Sequence, residues 1–160
     1  MARECALFYS DNIKGLNAKE GDRKDSSAVI EFKHEVYRPV DGQKGSVEDT
    51  RVHKAAELIL ELDTAAPPLI QACTRGDKFK EFKVEWYRLN EDVTPAKEEV
   101  YFSHTMTGVR VVSTEIVLPN TKDDDTDGLP HHLRVQLQYD SIKWLHHIGN
   151  IPAQDAWKQS

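Results

Sequence analysis

The densest group of potential metal ligands in this chain is the acidic run TKDDDTDG, residues 121–128. Asp123, Asp125 and Asp127 stand at alternate positions with Gly128 at the turn, which is the first half of a calcium loop held between two helices. The second half disagrees. The twelfth position, which must supply a bidentate glutamate, is Arg134, and Pro130 stands where the loop would enter its second helix. A cation there repels the metal, and the residues that follow alternate as a strand does. The run reads as a solvated acidic turn between strands, and no metal is assigned to it.

Seven histidines offer a second route to chemistry. His131 and His132 are adjacent, as are His146 and His147, so on a strand each pair points its rings to opposite faces and does not chelate one ion. One ring from each pair together with His104 is the remaining metal geometry, weighed against ordinary surface or interface histidines. His34 and His104 fall at apolar parity, where a hydrogen-bonded histidine is expected. Cys73 and His53 would make a nucleophile and base for a small hydrolase, but Cys73 falls on the apolar side of a helical segment, where thiols pack and stay inert.

The sequence has no GxSxG elbow, P-loop, HExxH motif or glycine-rich dinucleotide fingerprint. Trp86, Tyr87 and Trp144 at strand positions suit a sugar or peptide platform, yet alternating strand aromatics more often serve as core and cross-strand partners. Trp157, without periodic neighbours, is expected to pack back onto the domain or onto a neighbour. The reading is no enzyme, with no catalytic, cofactor-binding or metal residues.

The elements that carry these residues are mostly strands. VIEFKHEV puts Ile30, Phe32 and Val36 on one face, ELILEL puts Leu58, Leu60 and Leu62 on one face, and EFKVEWYR opposes Phe82, Val84 and Trp86 to Lys83, Glu85 and Tyr87. VYFSHTM, VRVVSTEIVL, residues 133–139 and SIKWLHHI complete the set. In VRVVSTEIVL the apolar parity switches between Val111 and Val112, which predicts a β-bulge. One helix is expected in TAAPPLIQACTRGD, where Pro67 and Pro68 suit a first turn and Gly76 a stop. VDGQKGSVEDT, residues 40–50, has loop composition without periodicity, and a loop this long is a candidate contact element.

Composition narrows the class. The 160 residues, 39% hydrophobic, fit a single domain over residues 1–160 with its own core. A net charge of -6 without a basic face argues against nucleic acid. No stretch is long and apolar enough for membrane insertion, and the opening MARECALFYSDNIKG lacks the flanks of a signal peptide. Cys5 and Cys73 show no metal spacing and read as reduced thiols.

The order of these features is what carries a resemblance. RVHK (51–54), a strand running into Leu62 and Asp63, AAPPLIQACTRG (65–76), FKVEWYR (82–88), TGVRVVSTEIVLPNTKD (107–123) and YDSIKWLHH (139–147) follow one another as in the haemolysin-coregulated protein, or Hcp, family of bacterial type VI secretion. The resemblance covers nearly the whole chain. It implies a mainly β fold, a compact β-barrel of two packed antiparallel sheets with one short α-helix at about residues 66–75. It also implies a homohexameric ring that stacks into a tube, pushed out by a contractile sheath beneath a spike protein, with small effectors carried in the lumen. Such a protein is made in the cytoplasm and secreted without a cleavable signal peptide.

Three departures stand out. Ala66 occupies the place of the usual Ser or Thr before the helix prolines, which removes a capping oxygen for which Asp63 or Thr64 is the substitute. Arg23 and Lys24 replace a common His-Lys pair in a loosely matching N-terminal segment. The chain ends at Ser160, soon after the last strand, with no room for a fused toxin. On this reading the subunit and ring interface falls on Arg38, Val40, Asp41, Gln43, Lys44, Val47, Arg51, His53 and Lys54. The competing reading is a monomeric or secreted β-barrel that binds or carries a ligand.

Overall fold

A computed structural model describes residues 4–18, 21–125 and 130–157. The strands are β1 (Glu4–Phe8), β2 (Ser27–Lys33), β3 (Val36–Tyr37), β4 (Val52–His53), β5 (Ala56–Glu61), β6 (Lys78–Asn90), β7 (Lys97–Val117), β8 (His132–Gln138), β9 (Ser141–His146) and β10 (Ile151–Ala156). The helix α1 (Ala66–Arg75) lies between β5 and β6. The sheet order is β10-β9-β7-β6-β1-β2-β5-β8, and β8 also pairs with β7, so six strands close into a barrel from which β9 and β10 extend as a flap. The two expected layers are opposite walls of this one antiparallel sheet.

Closure depends on β7. Its first part pairs with β9 from Phe102 to Thr107, and its last part pairs with β8 from Arg110 to Val117. Between the two, Gly108 takes φ +64°, and the register slips between Val111 and Ser113. The two segments expected on either side of Gly108 are therefore one bent strand, and the predicted bulge is where it turns from one wall to the other.

The barrel interior is filled by Leu7, Leu58, Leu60, Phe82, Val84, Met106, Val109, Leu133, Val135 and Leu137, each at most 1% exposed. Burial of each large apolar side chain contributes on the order of 2 kcal/mol. Two further slips interrupt the register. One between Val29 and Glu31 turns Ile30 outward to 47% exposure, and one opposite Trp86 and Tyr87 places the extra residue, Tyr101, on β7, leaving Tyr87 on the outer face of β6 as its alternation predicts, buried there beneath Arg23. Leu62, past the end of β5, is also exposed.

The helix presents Ala66, Leu69 and Ala72 to the core and packs on β7. It has no side-chain N-cap, but the capping position is Ala65, with Ala66, expected as the cap, already the first residue of the helix. Asp63 compensates from outside the helix, accepting the Ala65 N–H on Oδ1 and the Ala66 N–H on its carbonyl. Pro67 and Pro68 carry no N–H to satisfy, so the first turn leaves little unpaired. Gly76 closes the other end in the left-handed conformation, donating to the Ala72 carbonyl.

Candidate assembly surface

Residues 38–50 are not a patternless loop. They form the outer part of a two-stranded arm in which Val36 pairs with His53, Tyr37 with Val52 and, farther out, Val40 with Val47. Asp41 closes the tip: its carbonyl accepts the Gly45 N–H at 2.7 Å, its N–H donates to Ser46 at 2.8 Å, and Oδ1 accepts the N–H groups of Gln43 and Lys44. Arg38 ties the two sides together by donating to the carbonyls of Glu48 and Asp49. The backbone is well provided for, whereas the apolar side chains are not covered: Val40 is 62% exposed and Val47 58%.

The residues expected at an interface divide into two groups. Arg38, Val40, Gln43, Lys44, Val47 and Lys54 are exposed, and Asp41 is half-buried at the tip. Arg51 is half-buried and His53 fully buried, both at the foot of the arm. Lys54 pairs with Glu35 at 3.0 Å and lies over the ring of Tyr37.

The foot is held by a hydrogen-bonded chain. His53 Nε2 lies 2.6 Å from Asp155 Oδ2, and His53 Nδ1 meets the Tyr139 hydroxyl. That hydroxyl lies 2.6 Å from His34 Nε2. One arrangement with two neutral imidazoles satisfies all three contacts: His53 donates to Asp155, Tyr139 donates to His53, and His34 donates to Tyr139. Arg51 completes the assembly with Nε 2.8 Å from Asp155 Oδ2 and Nη2 donating to the Ala156 carbonyl. Trp157 packs back onto the domain, its ring 5.0 Å from that of His53.

This arrangement is a brace, not a reactive centre. Both nitrogens of His53 are occupied, so neither is available to activate Cys73. Burial pushes the Tyr139 hydroxyl well above its ordinary range, and burial pushes the Cys5 thiol up to about 12 despite the pull of Arg23. Asp155 is held below the usual carboxylate range by its hydrogen bonds to Arg51 and His53. Histidines do gather, but they are His34, His53 and His104, not one from each adjacent pair. Among the described residues no group of three His, Cys, Asp or Glu can hold a metal. Asp123 and Asp125 sit in side-chain-stabilised turns after β7, and Asp127 and Gly128 lie outside the described residues.

Beside the brace, with His34 common to both, lies an aromatic cleft of about 510 Å³ walled by Phe32, Trp86, Tyr101, Phe102 and His104. His34 is hydrogen-bonded as expected, but His104 is not. It is 7% exposed, and neither of its ring nitrogens has a partner; the buried Trp86 Nε1 also has none. Burial, with a smaller contribution from His34, pushes His104 down to about 4. On the far side of β6, Arg23 is buried with its guanidinium 3.8 Å above the Tyr87 ring, donating to Glu4 and, at 2.6 Å, to Glu98. Neither Arg23 nor Tyr139 nor Asp155 has a local sequence signature for its role.

The profile of the family described as "Type VI secretion system effector, Hcp" matches residues 8–146. The chain belongs to the Hcp family. This Hcp-family chain is 28% identical over 154 residues to the "Major exported protein" of Pseudomonas aeruginosa, covering 96% of this chain and 87% of that protein. Among solved structures, the Hcp1 protein of E. coli EAEC 042 superimposes with a TM-score of 0.84 at 29% identity, over 98% of this chain and 100% of that one. Hcp1 from Salmonella typhimurium shares the fold, with a TM-score of 0.76 at 16% identity over 98% and 96% of the two chains. Hcp is a family of exported structural proteins of type VI secretion, not an enzyme family, and its fold is the closed β-barrel with added strands described above. Among the described residues no helix is long and apolar enough to cross a membrane.

Proposed function

We propose that this Hcp-family chain acts as a single-domain tube subunit: six copies close into a ring, rings stack into the inner tube, and the tube is exported beneath a spike by a contractile sheath. Its lumen accepts small effectors. The role is architectural and uses no catalytic residue. The observation that carries this reading is the arm, whose backbone is internally bonded while Val36, Tyr37, Val40 and Val47 stand uncovered. A two-stranded ribbon is marginal alone, and a rigid foot under an uncovered tip suits an element that reaches another body. Arg38, Val40, Asp41, Gln43, Lys44, Val47 and Lys54 form the contact, and Arg51 and His53 hold it in place from below. A closed ring requires such a head-to-tail, heterologous contact.

The test is the mass of the purified protein in solution, by light scattering over a tenfold range of concentration. A mass near six times 18.2 kDa is expected. A monomer throughout overturns the preformed ring and favours a carrier module.

A further inference from the structure

The aromatic cleft carries an inference about what the arm reaches. Two of the residues that wall it carry three buried polar atoms without a hydrogen-bond partner: Trp86 Nε1 and both nitrogens of His104. Buried polar groups without partners are costly, and each such group in a folded protein calls for an explanation. The indole N–H is a donor only, while a neutral imidazole has one donor and one acceptor. A partner that satisfies all three atoms supplies two acceptors and one donor at a site walled by aromatic rings. A simple anion offers only acceptors and a hydrocarbon offers neither. A strand edge, with its alternating carbonyl and N–H groups, offers both.

The surface around the cleft points to a protein. Register places Trp86, Phe102, His146 and Ile151 side by side across β6, β7, β9 and β10, so they share one face. Ile151 is 68% exposed and Ile148, in the turn before it, 50%. A strip of partly exposed aromatic and exposed apolar side chains, interrupted by His146, thus runs from the cleft to the edge of the flap, longer than a small ligand covers.

The chain itself carries the complementary piece. Among the described residues the arm is a two-stranded sheet with no third strand on either side, and it displays Val36, Tyr37, Val40 and Val47. Asp41, Glu48 and Asp49 near its tip suit Lys33 at the rim of the cleft. We propose that the cleft lined by Trp86, Phe102 and His104 is the receptor for the arm of a second copy of this chain. The proposal rests on the arm being the contact element, and it names what the arm contacts. One contact then covers the arm's valines and supplies the missing partners of Trp86 and His104.

The experiment places the photo-crosslinking residue p-benzoylphenylalanine at Val40, an exposed position whose replacement spares the core. Isotopically labelled and unlabelled copies are mixed, irradiated and mapped by mass spectrometry. The expected result is a link between copies, from position 40 to peptides spanning residues 29–34 or 98–104. Links confined to one chain, or to other segments of the partner such as the exposed end of β7, overturn the proposal while scattering shows an intact ring. If scattering shows only monomer, the ring reading itself has failed, and the proposal with it.

A second variant separates receptor from fold. His104→Phe removes two unpaired nitrogens, so the isolated subunit keeps or gains thermal stability. The concentration at which the oligomer dissociates rises about tenfold, the equivalent of one lost hydrogen bond. A dilution profile that coincides with that of the wild type overturns the proposal.

Discussion

His53 Nε2 lies 2.6 Å from Asp155 Oδ2, joining the foot of the arm to the last strand across 102 positions of sequence. Arg51 grips the same carboxylate through Nε and Nη2, so one side chain of β10 fixes both residues of the RVHK segment that lead into the barrel.

Replacing Asp155 with Asn keeps the shape but removes the charge that Arg51 needs. Because the Arg51 and Asp155 side chains are each about one-third exposed, the loss in global stability is modest, about 1 kcal/mol. The effect on the arm is larger. Backbone amides of β3 and β4 are expected to exchange with solvent well before those of β5 and β6, and hydrogen-exchange mass spectrometry reads this directly. Equal protection of arm and barrel in the variant contradicts the brace.

Acid should destabilise the subunit in a window set by buried imidazoles. Burial places the folded-state value of His104 at about 4, below its ordinary 6.5, and His34 is shifted in the same direction, first by burial and then by His53. The unfolded chain therefore takes up the proton first. The stability is complete above pH 6.5, falls as pH drops, and the loss from His104 levels off near pH 4, after about 3 kcal/mol in all. Asp155, whose value is depressed below 3.8, begins to matter only below this window. Urea unfolding of dilute protein from pH 7 to 4 measures the fall, and His104→Phe should flatten most of it. A flat wild-type profile rules the account out.

Arg23 replaces a residue that resemblance to the family led one to expect as histidine, and it is fully enclosed between Tyr87 and two glutamates. Arg23→Ala leaves an unfilled space and two carboxylates that, being partly exposed, recover water. The expected cost is about 2 to 3 kcal/mol, less than for a fully buried pair. Arg23→Lys should recover little, because a single ammonium does not reach both carboxylates while lying flat on the Tyr87 ring. Full recovery by lysine in chemical denaturation shows that only the charge matters.

The parts of this fold that were legible in the sequence are those with local causes. Alternation marked β5, β6 and β8, the parity switch at Val111 and Val112 marked the bend of β7, and paired prolines with Gly76 marked α1. The bulge at Ile30 has no parity switch to announce it, so alternation places Ile30 inward although it is exposed, whereas Tyr87 lies on the outer face of β6 as alternation predicts. β10 reads IPAQDA, with no alternation, and is a strand because β9 offers it an edge along six paired positions. The arm reads in sequence as a loop and not as a ribbon, since its pairing depends on the closure of a turn by Asp41. His53, Tyr139, Asp155 and His34 meet only after the barrel has closed, and nothing in their spacing announces it.

Gly108 tests the bend on which closure depends. Its φ is +64°, and a Cβ built there would lie 2.7 Å from Asp140 Cγ and nearer still to Oδ2. Asp140 has little freedom to retreat. Its N–H donates to the Thr107 carbonyl at 2.9 Å, its own carbonyl accepts the Trp157 N–H at 2.8 Å, and its carboxylate pairs with Lys78. Gly108→Ala therefore combines the cost of a left-handed alanine, about 1 kcal/mol, with a clash that must displace Asp140, for about 2 to 4 kcal/mol in all. If the clash dominates, Asp140→Ala should relieve part of it, so that the double variant is less destabilised than the sum of the singles in urea unfolding. Simple additivity would mean that backbone strain alone sets the requirement for glycine, and a neutral Gly108→Ala would mean that β7 has another way to make its turn.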